Sequence, residues 1–199
     1  TDGGQTWDQV YSKSDYDGVS LNNIAINPQN PQHLILTRGF GPNGVEGGLL
    51  TSTDAGQTWT LKLENIILHP IAFNPFNIDE IYVATGISFG NSPENLYRSY
   101  DGGETWNAIP LTWTEGSLNN INVIAFNPIT EGHIIVLEEN EIVVSNDNGT
   151  SWEHYVYEPI DVHTYYSGWN LSFNPFNEEE VFINSDYFPM FSEDGGATI

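Results

Sequence analysis

Carboxylates dominate the chemistry open to this chain, and one arrangement of them is the hydrolysis of a glycosidic bond. That reaction needs two acids facing one bond, roughly 5–10 Å apart, with one held protonated. Glu115 and Asp161 are the best such pair, because they fall in successive irregular connections of a repeated sequence, with His163 beside the second. Nothing in their spacing separates them from solvated loop acids. The same stretches carry flat aromatics: Phe40, Phe89, Trp113, Tyr165, Tyr166 and, where a strand starts, Trp169. Aromatic faces beside carboxylates suit sugar rings, which stack on π surfaces and offer hydroxyls to acceptors, and they equally suit packing between neighbouring elements. These six are the candidate ligand-binding residues.

Other chemistries find fewer residues to work with. His33 and His133 occupy equivalent turns of different repeats, and His69, His154 and His163 are scattered, so neither a metal-ligand set nor a Ser-His-Asp arrangement emerges. Gly39-Phe40-Gly41-Pro42-Asn43-Gly44 spells a dinucleotide fingerprint, but no helix follows it, and the stretch reads as a mobile loop. Asp15-Tyr16-Asp17-Gly18 opens like a calcium loop without the remaining ligands, and Asp186 adds one acid elsewhere. The expectation is no cofactor and no metal site, with incidental calcium at most. Asn148 and Asn170 head glycosylation sequons too common to carry meaning.

Charge narrows the partners. Only Lys13, Lys62, Arg38 and Arg98 oppose 27 carboxylates in 199 residues, for a formal charge of −23. Nucleic acid and anionic membrane would be repelled, leaving protein or carbohydrate ligands. No apolar run approaches the roughly 18 residues of a membrane span, so membrane insertion is not expected. Cysteine is absent, which removes disulfides and thiol chemistry and leaves redox compartment without a marker.

The elements that must position these residues are written in a repeat. A phrase built on Asp, Gly, Thr and Trp occurs five times with a period of about 47 residues, at Asp2 to Trp7, Ser52 to Trp59, Ser99 to Trp106, Ser145 to Trp152 and Ser192 to Ile199. Between the phrases, apolar runs close on Asn-Pro at Asn27-Pro28, Asn74-Pro75, Asn127-Pro128 and Asn174-Pro175. Proline cannot donate a ladder hydrogen bond and Asn opens turns, so a strand ends at each. Second apolar runs follow at 33–37, 81–85, 133–137 and 181–184, and third runs at 48–51, 96–99, 141–145 and 188–192. A fourth starts at each Thr-Trp. Four short strands per period, without helical periodicity, make an all-β chain of propeller blades joined by hairpins.

The expected division is 1–18 as the outer strand and exit loop of a preceding blade, blades at 19–64, 65–111 and 112–158, and an incomplete blade at 159–199. Both ends read as cuts in a longer array, and six to eight blades are expected in a complete one. Asn-Pro turns and Asp phrases should share one face. The irregular connections 38–47, 86–94, 110–120 and 158–168 should share the other, which is the usual seat of binding.

The pattern Ser-x-Asp-x-Gly-x-Thr-Trp resembles the Asp box, or BNR repeat, of sialidases, sortilin-type Vps10 domains, Ycf48-like photosystem assembly factors and xyloglucanase-type glycoside hydrolases. Ser99 to Trp106 and Ser52 to Trp59 carry every signature position, whereas Ser151 replaces Thr and Ile199 replaces Trp in later copies. The resemblance implies a propeller in which the boxes are folding elements remote from the active face. It makes Asp2, Trp7, Asp54, Gly56, Trp59, Asp101, Gly103, Trp106, Asp147, Gly149, Trp152, Asp194 and Gly196 structural. Each Asp should accept backbone N–H groups of its turn, each Gly supply a positive φ, and each Trp plug a gap. A sialidase would need an arginine triad, and only Arg38 and Arg98 are present. The reading is a non-catalytic recognition or scaffold module of a secreted or cell-surface protein. The alternatives are a glycoside hydrolase, or an assembly or sorting factor.

Overall fold

The structure, a computed structural model, describes residues 3–8, 19–41, 44–86, 95–111, 113, 120–138, 141–156, 168–185 and 188–199. Among them are strands and no helix. The first sheet holds β1 (Leu21–Ile26), β2 (Leu34–Gly41), β3 (Gly44–Ser52) and β4 (Thr60–Lys62) in that order. The second holds β5 (Leu68–Phe73), β6 (Ile81–Thr85), β7 (Asn95–Ser99) and β8 (Asn107–Pro110). The third holds β9 (Val123–Phe126), β10 (Ile134–Leu137), β11 (Glu141–Ser145) and β12 (Glu153–Val156). The fourth holds β13 (Gly168–Asn174), β14 (Asn177–Ser185) and β15 (Pro189–Ser192). Each strand pairs antiparallel with its neighbour in sequence within its sheet. First strands also touch one another across sheets, β1 with β5, β5 with β9 and β9 with β13. They therefore line a common axis, and the chain is a segment of a β-propeller.

The second strands β6 and β10 are buried at every residue because each is covered on both faces, whereas β14 alternates and leaves Phe182 exposed. In β10, Ile134 and Val136 pack with Tyr82, Ala84 and Leu96 of the second sheet. Ile135 and Leu137 turn the other way, onto Leu171, Val181, Ile183 and Met190 of the fourth. An equivalent seam joins the first two sheets through Ile35, Leu49, Ile81 and Val83. The core is thus three layers between sheets, and half-buried Trp106 and Trp152 close two of them from the side.

Turns and Asp phrases do share one face. The N–H groups of Ala55, Gly102, Asn148 and Gly195 donate to the carbonyls of Gln32, Asp79, Gly132 and Glu179 in the Asn-Pro turn of the same sheet. One expected loop is corrected. Residues 38–41 and 44–47 continue the β2–β3 hairpin, with Phe40 in β2, so that Gly39, Gly41 and Gly44 of the glycine fingerprint lie in strands rather than in a mobile loop. The ladder extends because Gly47 lets the next connection pass: a Cβ there would stand 2.1 Å from the Ile66 carbonyl oxygen. Residues 3–8 form no strand, and 9–18 lie outside the described residues.

Candidate functional site

Opposite the Asp phrases, the rim of the propeller is built where first strands start and second strands end. Asn22 donates its side-chain amide to the Leu68 carbonyl at 2.7 Å, and Asn122 does the same to Gly168 at 2.7 Å, two repeats later. Thr37 donates its hydroxyl to the His69 carbonyl at 3.0 Å, and Ile121 N–H donates to Thr85. Each sheet is thereby stitched to the next beside the axis. Asn22, His69, Asn122 and Trp169 occupy one repeat position. Burial lowers the pKa of His69, which keeps its ring neutral at this rim. Trp169 is 48 % exposed and presents a large aromatic face to solvent. Next to Asn22, a hollow of about 330 Å³ is lined by Leu21, Asn23, Ile24 and Leu36.

The β10–β11 hairpin adds two acids that sequence reasoning passed over. Glu138 and Glu141 are fully buried, and Glu138 N–H donates to the Glu141 carbonyl at 2.9 Å. His154 Nδ1 stands 3.6 Å from the Glu141 carboxylate, and its ring lies 5.5 Å from that of half-buried Trp113. Neither carboxylate has exposed surface, and that of Glu141 faces His154. The signal that could have found them is Glu at both ends of a four-residue step between strands, where the other sheets have neutral or basic residues. Among the described residues no group of three His, Asp or Glu side chains converges to hold a metal ion.

The Asp phrases form four closely similar hairpins. In the second sheet the Asp101 carboxylate accepts Thr105 N–H at 2.9 Å, the Thr105 hydroxyl at 2.6 Å and the Ser99 hydroxyl at 2.8 Å. Gly103 N–H donates back to Ser99 Oγ. The same bonds hold Asp54, Asp147 and Asp194 in their own hairpins. These donors, led by the hydroxyls of Thr58, Thr105 and Ser151, lower the pKa of Asp54, Asp101 and Asp147 to about 2. Gly56, Gly103, Gly149 and Gly196 all take positive φ. Trp59, Trp106 and Trp152 are half-buried, whereas Trp7 is 88 % exposed.

A clamp unreadable from single turns runs beneath them. Each Asn-Pro asparagine hydrogen-bonds the side chain six residues on: Asn27 with His33, Asn74 with Glu80, Asn127 with His133 and Asn174 with Glu180. In two of the four that side chain also bonds the next sheet: His133 reaches the Gly195 carbonyl, and Glu80 reaches the third sheet. Glu80 accepts from Asn148 Nδ2 and pairs with Arg98 Nε at 3.0 Å, while Arg98 Nη1 donates to the Asn148 carbonyl at 2.9 Å.

Of the residues singled out in the sequence, Trp169 lies in β13, Trp113 lies in the connection between β8 and β9, and Phe40 lies in β2, with its side chain outside the described set. Glu115, Asp161, Phe89, Tyr165, Tyr166 and Asp2 lie outside the described residues, as do Asp15 to Gly18 and Asp186. No described helix is long and apolar enough to cross a membrane.

Residues 47–154, just over half of the chain, match the family model described as Sortilin, neurotensin receptor 3. Comparison with curated proteins found no match. Among solved structures, the GH74 xyloglucanase from Xanthomonas campestris superposes with TM-score 0.71 at 14% identity, covering 98% of this chain and 33% of that one. YCF48 from Cyanidioschyzon merolae does so with TM-score 0.62 at 18% identity, over 92% of this chain and 55% of that one. A structure described as YCF48 bound to D1 peptide gives TM-score 0.51 at 14% identity, over 92% of this chain and 80% of that one. This chain therefore spans a third of the xyloglucanase and little over half of the algal YCF48. At such identities these likenesses concern the fold.

Proposed function

The chain belongs to the Sortilin-Vps10 family, and from that premise we propose that it is a non-catalytic recognition module of a secreted or cell-surface protein, binding an extended protein segment at the rim opposite its Asp phrases. The observation that carries this reading is the contrast between the two rims. One is closed by the same turn-to-hairpin hydrogen bond in each of the four sheets, while the other presents Trp169, 48 % exposed, beside main chain already ordered by Asn122. A rigid aromatic anchor on an ordered scaffold is the kind of surface on which binding energy concentrates. Support also comes from the YCF48 structure described as bound to D1 peptide, in which a propeller of similar fold carries a peptide.

The test is a peptide array and a glycan array probed with the whole chain, followed by tryptophan fluorescence titration of the hits. Peptide binding is expected, with affinity falling about tenfold or more in Trp169→Ala. Binding to glycans alone would move the ligand class to carbohydrate. Turnover of a β-glucan, abolished by Glu115→Gln or Asp161→Asn, would replace recognition with hydrolysis.

A further inference from the structure

We propose that His133 is an acid-sensitive latch between the third and fourth sheets, closed at neutral pH and released by protonation of its ring. The geometry admits only one neutral form. Asn127 Oδ1 accepts the N–H groups of Ile129 and Thr130 at 2.9 and 3.0 Å, which fixes which end of its amide is oxygen. Its Nδ2 then spends one hydrogen on the Glu178 carbonyl at 2.8 Å and turns the other toward His133 Nδ1 at 3.0 Å. Nδ1 must therefore offer a lone pair, and Nε2 carries the proton, which it donates to the Gly195 carbonyl at 3.0 Å. That carbonyl belongs to the Asp phrase of the fourth sheet. A proton added at Nδ1 faces an N–H that cannot turn away, so the charged ring must leave the clamp.

The groups around the ring are few. Its edge meets the Phe173 ring of β13 at 5.2 Å. Glu178 of β14 is the carboxylate that favours the charged form, and the Thr130 hydroxyl donates to it. Glu179 and Asp194 line the hollow of about 270 Å³ that leads from solvent to the ring. Asp194 is engaged by Thr198 and Ser192. Burial outweighs Glu178 and the Gly195 carbonyl, and the ring's pKa lies below its ordinary 6.5. The closed latch therefore holds fully above pH 6.5 and is lost as pH falls from there through the depressed value.

The middle junction is an internal control. There the equivalent position is Glu80 in place of an imidazole, paired with Arg98, which holds the Asn148 carbonyl.

Backbone hydrogen exchange on the whole chain at pH 7 and pH 5, corrected for intrinsic rates, tests the latch. Protection of Gly195 to Thr198 should fall about tenfold or more, while that of Asn148 to Ser151 changes less than about twofold. His133→Gln should abolish the difference between the two pH values. If that variant does not fold, the wild-type ring titration by NMR decides: a midpoint below 6.5, with the Nε2–H tautomer at pH 7, is expected. Equal loss in both hairpins, a step that survives His133→Gln, or a midpoint at or above 6.5 would overturn the proposal.

Discussion

Ala55 sits where a side chain is a burden. Its φ is 60°, and the equivalent residues of the second and fourth sheets are glycines, Gly102 and Gly195, with φ of 70° and 71°. The left-handed region costs a residue with a Cβ roughly 1–2 kcal/mol, of which a glycine substitution returns part to unfolded-state entropy. Ala55→Gly should therefore raise stability by about 0.5–1 kcal/mol, read as a higher urea midpoint. The third sheet has Asn148 here, at φ 59°, but its amide donates to Glu80, so Asn148→Gly should show no such gain. The phrase carboxylates titrate in a lower range than His133. Asp54, Asp101 and Asp147 ionise near 2 in the fold against 3.8 ordinarily, so the unfolded chain takes up protons first. Stability from these bonds is complete above pH 3.8 and drains as pH falls towards 2. Urea midpoints at pH 5, 3 and 2 should fall in that order, and Asp101→Asn should flatten the decline.

Between elements, the decisive contacts join residues about fifty apart, such as Arg98 to Asn148, and this separates what the sequence discloses from what it hides. Strand positions were legible because the Asp phrase and the Asn-Pro stop recur on one period, and β-branched pairs such as Ile134-Ile135 announce burial on both faces. The hairpin through Phe40 was not, because its glycines look like loop composition, whereas they mark close backbone approach at Ile66. Nor was the clamp. Its six-residue interval from Asn to His or Glu is present in all four turns, but nothing local says that Glu80 and His133 reach the following sheet. The rim was only half legible: Trp169 stood out as an aromatic where a strand starts, whereas Glu138 and Glu141 looked like ordinary hairpin acids. The Glu80–Arg98 pair allows an element-scale prediction. Glu80 is 1% exposed, so Arg98→Met leaves a carboxylate stranded between two sheets and should cost about 3–5 kcal/mol, measured by urea unfolding. Removing both charges in Glu80→Gln with Arg98→Met should recover much of that loss; if it does not, the pair is not the element joining these sheets.

For the whole molecule, charge acts against compactness. A formal charge of −23 is held by a fold with four Lys and Arg residues in total, so repulsion among carboxylates is the main long-range electrostatic effect. Salt weakens attraction as well, but the attraction at stake is small. Lys62–Glu104, at 3.3 Å, is a surface pair with Glu104 68 % exposed, worth about 0–1 kcal/mol, while Glu80–Arg98 is buried and poorly screened. Raising ionic strength from about 0.01 to 0.15 M shortens the screening length from about 30 to 8 Å, which removes repulsion between sheets while leaving bonds within hairpins intact. The melting temperature should therefore rise across that range at pH 7. Acid adds a second, opposing effect, because neutralised carboxylates stop repelling while the Asp phrases lose their acceptors. In low salt the two should partly cancel and flatten the fall in stability between pH 5 and 3. In about 0.5 M salt repulsion is already screened, and the loss of the hairpin bonds should stand alone as a steeper acid limb. Parallel limbs at the two salt concentrations would mean that repulsion contributes little, and that the acid sensitivity belongs entirely to the hairpins.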